Sequence, residues 1–249
     1  MSPVQHTTVT GVGEGQQVMF LKEIESRPAT GIAGIALRKM RDEGRTIPDI
    51  LHLFRFKTRI TDPLVRLTDE VMRGPSPLSP GLRELIGAYV SKKNRYTFCT
   101  LAHAAAAGEY MERDLVREVL CDLEGSHLDA AHKELLRFVG KVVEDRAGIT
   151  ASDVDPIKAA GFSEEAIYDA LTVASLFCFY NTWNAGAGVQ DMNAAGYAYS
   201  GEVLKKRGYR MDFSFKSLLK VLASYRIEFN LRHFLTVTAS TLRIMLRSV

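Results

Sequence analysis

Apolar residues recur at helical spacing along most of this chain. After Thr30, the positions Ile32, Ile35, Ala36, Leu37 and Met40 predict a helix that Gly44 stops. Pro48 stands where a first helical residue belongs, ahead of Ile50, Leu51, Leu53 and Phe54. Asp62-Pro63 reads as a cap and first-turn proline leading into Leu64, Val65, Leu67, Val71 and Met72, with Gly74 as the stop. Ser79-Pro80 repeats that device and opens a segment to about Ser91, and the next helix is predicted near Thr97, through Ala104 to Ala107. Stripes follow over 114–123 and 127–146. Thr150 or Ser152 caps a short helix ending at Gly161. Ser163-Glu164-Glu165 then opens a long apolar one, from Ile167 to Tyr180. No hairpin signal sits between alternating apolar runs. The pattern predicts an all-α fold, a helical bundle.

Both ends differ from this body. Residues 1–18 are polar, and Gly11, Gly13 and Gly15 imitate a phosphate loop without a strand before them or a helix start after them. They read as a flexible segment. Residues 211–249 carry a second helical stripe, from Leu218, Leu222, Tyr225 and Phe229 to Leu242, Met245 and Leu246. The expected organisation is thus a flexible segment (1–18), a helical domain (19–210) and an amphipathic extension (211–249).

Charge sharpens that division. The net charge of +3 over 249 residues hides two unlike parts. Residues 205–249 hold 10 Lys and Arg against 2 Asp and Glu, net +8, which leaves 22 against 27, net −5, for residues 1–204. The basic residues of the tail are scattered along a wide apolar stripe. That favours docking on the acidic body or on a second subunit over an anionic membrane surface, and argues against nucleic acid. With 46% hydrophobic and 24% charged residues the chain is composed as a globular protein, and no run reaches the ~18 apolar residues of a membrane span. Three cysteines are too few, and odd in number, for a disulfide scaffold, and no secretory pattern opens the sequence. A reducing cytoplasm is the expectation.

Candidate chemistry concentrates between Leu82 and His103. A helix beginning at Thr97 puts Cys99 in its first turn, where free backbone N–H groups favour a thiolate, and His103 one turn further on the same face. Glu84 lies on the preceding helix, and a helical hairpin would bring its carboxyl group to His103. A thiol, a base and an acid that orients the base make an activated nucleophile. Buried cysteines and core histidines are also common in helical proteins, so spacing alone leaves a packing role open. Cys121 and Cys178 show no local activating feature and read as core residues. His127 and His132, five apart, face away from each other and suggest no shared metal. His52, His233 and Trp183 read as packing residues.

The same window resembles the active-site stretch of the carboxymuconolactone decarboxylase / alkylhydroperoxidase D-like superfamily, in its peroxidase-related branch. That pattern is a glutamate, eleven residues, a cysteine, two residues, a second cysteine, three residues and a histidine. Glu84, Cys99 and His103 match the glutamate, the second cysteine and the histidine, and Asn94 and Phe98 are typical neighbours. The likeness extends from about Phe20 to Gly188 and includes Arg73-Gly74-Pro75-Ser76-Pro77-Leu78-Ser79. It implies an alkylhydroperoxidase D-like bundle, a homo-oligomer, and reduction of a small-molecule peroxide with Cys99 as nucleophile, without metal or bound cofactor. Tyr96 stands in place of the first cysteine, which in peroxidase members resolves the sulfenic acid. Resolution would then fall to Cys121, Cys178, an external thiol reductant or a second subunit. Tyr96 becomes a candidate pocket residue. Two alternatives remain: an acid–base enzyme of the decarboxylase kind using His103 and Glu84, and an inactive oligomeric scaffold.

Overall fold

The structure of the protein is a computed structural model that describes residues 19–28, 40, 42, 44 and 47–209. The described residues form ten α-helices and two 3-10 turns and contain no strand. In chain order they are α1 (Lys22–Ser26), α2 (Ile50–Phe56), α3 (Thr58–Arg73), α4 (Pro80–Lys93), α5 (Thr97–Ala107), α6 (Arg113–Cys121), α7 (Ala130–Glu144), α8 (Asp155–Ala159), α9 (Glu164–Ala187) and α10 (Ala194–Arg207). The all-α reading of the sequence holds. Most of the predicted 30–44 helix, the 1–18 segment and the 211–249 extension lie outside the described residues.

Side chains close the helix starts much as the sequence suggests. Ser79, Asp129 and Ser163 accept from the backbone N–H of Leu82 (3.2 Å), His132 (3.0 Å) and Ala166 (3.1 Å). Thr150 and Asp153 form a capping box ahead of α8. The start of α3 differs from expectation. It opens at Thr58, and Pro63 lies inside the helix. Backbone N–H groups of Ile60 and Thr61 already bond the Lys57 carbonyl, and the Thr61 hydroxyl bonds the carbonyls of Phe54 and Lys57. The turn before the proline is therefore closed without it, and Pro63 removes one ladder bond rather than starting the helix.

Helix α4 is the hub. Every residue from Gly81 to Ser91 is buried, so this stretch has no solvent face, and α3, α5, α6, α7 and α9 pack around the helix. Leu85, Ile86 and Val90 of α4 meet Leu135, Leu136 and Val139 of α7 and Val173, Ala174 and Phe177 of α9 in the larger core. A smaller core collects Met19, Leu53, Phe98, Cys99, Ala102, Ala187, Met192 and Tyr197. Helix α9 runs seven residues past the predicted apolar stretch and ends at Gly188, in the left-handed region at φ +74°.

Helix α10 went unseen in the sequence because it packs through small residues. A Cβ on Gly201 would come within 2.7 Å of the Ala105 backbone, so α10 lies directly on α5 with little apolar periodicity to announce it. Its start does carry a signal: Asn193 accepts from Gly196 N–H at 2.8 Å. Among the described residues no helix is long and apolar enough to cross a membrane, and no group of three or more His, Cys, Asp or Glu is placed to hold a metal ion.

Candidate active site

The α4–α5 hairpin brings Glu84 and His103 together. Glu84 has no solvent exposure, and its Oε2 lies 2.7 Å from His103 Nδ1, whose ring is 12% exposed. An ionised carboxylate only accepts hydrogen bonds, so Nδ1 carries the proton and donates. The other ring nitrogen, Nε2, forms no hydrogen bond among the described residues and is left to act as a base. Phe177 meets the imidazole edge-on, with ring centroids 4.4 Å apart.

Two further residues complete the cluster, and spacing did not single them out. Arg73, at the end of α3, donates to Glu84 Oε1 and also to the Leu204 carbonyl at 3.1 Å. Tyr209, just beyond α10, donates its hydroxyl to Glu84 Oε1 at 2.8 Å and lies 3.2 Å from His103 Nδ1. Burial acts to raise the Glu84 pKa. The His103 hydrogen bond, with the charges of His103 and Arg73, outweighs it and holds the carboxyl below its usual range. Burial, with the Glu84 charge, pushes the Tyr209 phenol well up, so it stays a donor.

Cys99 is the third residue of α5 and is 2% exposed. Its polar partner among the described residues is Asn184 of α9, whose Nδ2 lies 3.5 Å from the sulfur. Burial pushes the thiol up to about 12, and the Asn184 hydrogen bond offsets only part of that. The first-turn position was expected to favour a thiolate. In this conformation desolvation at a closed helix start outweighs the helix end, and the sulfur is a thiol. No hydrogen bond joins Cys99 to His103, one turn away. Asn184 Oδ1 is itself buried without a partner. Asn184 lies beyond the apolar run that ends at Tyr180, so the run itself did not single it out.

Tyr96 precedes α5 as its cap residue and packs against the smaller core beside Phe98. Its hydroxyl turns to the Val189 carbonyl at 3.4 Å, and burial, with the nearby Cys99, pushes the phenol up. Tyr180 and Tyr197 also feel Cys99, and their hydroxyls are taken by Thr68 (2.6 Å) and Asp191 (2.9 Å). The sulfur thus sits among phenols that are all otherwise engaged.

The remaining candidates lie elsewhere. Cys121 ends α6 and is exposed, against the expectation of a core role: the apolar face of α6 is carried by Val116 and Val119, and Cys121 falls off it. Cys178 is half-buried, with Asn94 Nδ2 at 3.6 Å. It lies six residues before Asn184 on α9, a rise of ~9 Å. His127 and His132 bond different carboxylates, Glu118 and Asp129. His52 meets Arg55 at 2.6 Å, and Trp183 packs on Phe54 and Phe179. His233 lies outside the described residues.

The fold recurs in solved structures. An uncharacterized peroxidase-related protein from Silicibacter sp. TM1040 matches with a TM-score of 0.65 at 21% identity, covering 75% of this chain and 98% of that one. An alkylhydroperoxidase AhpD core, an uncharacterized peroxidase-related protein from Ralstonia eutropha JMP134, matches with a TM-score of 0.59 at 18% identity, covering 69% of this chain and 90% of that one. The chain has the fold of the alkylhydroperoxidase AhpD core. No protein-family model matches the sequence, and no curated protein does. At such identities the likeness is one of fold, and the chemistry rests on the residues.

Proposed function

We propose that the protein is a thiol-dependent peroxidase that reduces a small hydroperoxide through Cys99. The observation that carries this reading is the Glu84–His103 pair, a buried carboxylate holding an imidazole 2.7 Å away with Nε2 left as base, one helical turn from the thiol in a peroxidase-related fold. His103 takes the Cys99 proton. The sulfur attacks the terminal peroxide oxygen, the O–O bond breaks, and the proton passes to the departing alkoxide. Cys99 becomes a sulfenic acid and an alcohol leaves. Glu84 keeps the ring oriented and balances the imidazolium. Asn184 donates to the sulfur and supports its anionic form.

Tyr96 cannot resolve the sulfenic acid. Cys178 lies on α9 six residues, a rise of ~9 Å, before the Asn184 that touches Cys99, and its polar contact is Asn94; exposed Cys121 belongs to another helix. In this reading the resolving thiol is external: one thiol condenses with the sulfenic acid to a mixed disulfide and water, and a second restores Cys99 and leaves as disulfide. Assembly as a homo-oligomer belongs to the same reading.

One observation favours a second reading. A thiol pushed up to about 12 is a poor nucleophile, whereas His103 needs no thiol to act as a base. In that case His103 and Glu84 catalyse a non-redox reaction on a lactone or carboxylate, and Cys99 is a packing residue. Peroxide consumption with a small dithiol separates the two. The peroxidase reading expects Cys99→Ser to abolish turnover and His103→Ala to lower it about 100-fold, a usual worth for a general base. Turnover of peroxide that survives Cys99→Ser rejects it.

A further inference from the structure

Tyr209 reaches the Glu84–His103 pair by a short and specific route. Helix α10 ends at Gly208, whose backbone adopts φ +66° and ψ −154°, a region open essentially to glycine. This turn sends the chain back toward α3, where Asp69 Oδ1 accepts the Tyr209 backbone N–H at 2.9 Å. The Tyr209 ring then lies parallel to the His103 imidazole, with planes 10° apart and centroids at 6.2 Å, and the Arg73 guanidinium covers its face at 5.0 Å. Its hydroxyl ends on Glu84 Oε1.

The consequence is a division of labour on one carboxylate. Oε1 takes two donors, Arg73 and Tyr209, and Oε2 is left to His103. We infer that Tyr209 is a positioning residue: its hydroxyl fixes Glu84 as an anion with Oε2 turned to His103, and so sets which imidazole nitrogen is the base. This rests on the acid–base role given to His103 above, and it serves the peroxidase and the non-redox reading alike. The charged and titratable groups around Glu84 are Arg73 from α3, His103 from α5, Tyr209, and Arg83 from α4 itself, with Tyr110 beyond Arg73. Tyr209 stands outside the glutamate–cysteine–histidine spacing and at the threshold of the basic extension.

The test is the titration of Glu84 in the full-length chain, followed by the infrared or carbon-13 signal of its carboxyl group and assigned with Glu84→Gln. In Tyr209→Phe the ring is kept and one hydrogen bond to a charged acceptor is lost. The carboxyl group should then protonate about one pH unit higher than in the wild type, a tenfold gain in proton affinity. A merely structural role would lower the melting temperature without moving that titration, and an unmoved titration overturns the inference. Should Tyr209→Phe not fold, Gly208→Ala carries the same test: it strains the turn and brings a Cβ within 2.6 Å of Asp69 Oδ1, so Tyr209 is displaced and the same upward shift is expected. Failure of the peroxidase reading is visible separately, because the Glu84 signal needs neither peroxide nor Cys99.

Discussion

A carboxylate with no solvent exposure forfeits its hydration, and Glu84 replaces it with Arg73, His103 and Tyr209. Removing the charge leaves Arg73 facing a neutral amide in a largely buried setting. Glu84→Gln is therefore expected to cost about 3 kcal/mol in urea unfolding at neutral pH, the low end for a broken buried pair. The pH dependence follows from the direction of the shift. A carboxyl group held below its unfolded value contributes stability in full above about pH 4.3, and that contribution fades as pH falls through the folded value. The gap between wild type and Glu84→Gln should be flat from neutral pH to about 5 and close in acid. Cys99 and His103 were legible as neighbours one turn apart because helical spacing fixes who shares a face, and Glu84 because the expected hairpin brings its helix to theirs. Arg73 and Tyr209 were not: they reach Glu84 from 11 and 125 residues away, a closeness only the tertiary fold creates. The burial that keeps Cys99 a thiol was hidden for the same reason.

The turn between α4 and α5 shows how an element places a site. Arg95 has φ +57°, the one described non-glycine residue in the left-handed region. The Tyr96 N–H returns to the Ser91 carbonyl at 2.9 Å, and the Arg95 N–H to that of Lys92 at 3.0 Å. These bonds form a Schellman motif with arginine where glycine is usual. Arg95→Gly should relieve the strain and stabilise the protein by about 0.5–1 kcal/mol after the extra chain entropy of glycine is counted. Chemical denaturation of the variant measures this, and a loss of stability would show that Arg95 contributes more than its backbone. Caps at Ser79 and Ser163 were readable from sequence because they use local chemistry. Pro63 misled because a proline six residues into a helix looks the same in sequence as one that starts it. Helix α10 was missed since close packing on α5 needs glycine and alanine, which leave no apolar stripe.

Across the whole molecule the charge split meets the site at one residue, Tyr209. The Glu84–His103 cluster lies in the acidic body, and the +8 segment begins at the end of α10. On α9, Tyr168 is 68% and Phe179 46% exposed, two aromatic side chains open on one side of a long helix. Docking of the extension on a second copy predicts that removing residues 213–249, which spares Tyr209, lowers the number of subunits measured by light scattering. An unchanged subunit number would turn attention to anionic membrane surfaces. The account depends most on whether Cys99 is a nucleophile despite its burial. The most direct measurement is mass spectrometry of the protein after brief hydroperoxide exposure with a sulfenic-acid trap present. The account predicts trapped sulfenate at Cys99, slowed in His103→Ala and absent in Cys99→Ser. An unmodified Cys99, with oxidation confined to exposed Cys121, would contradict it.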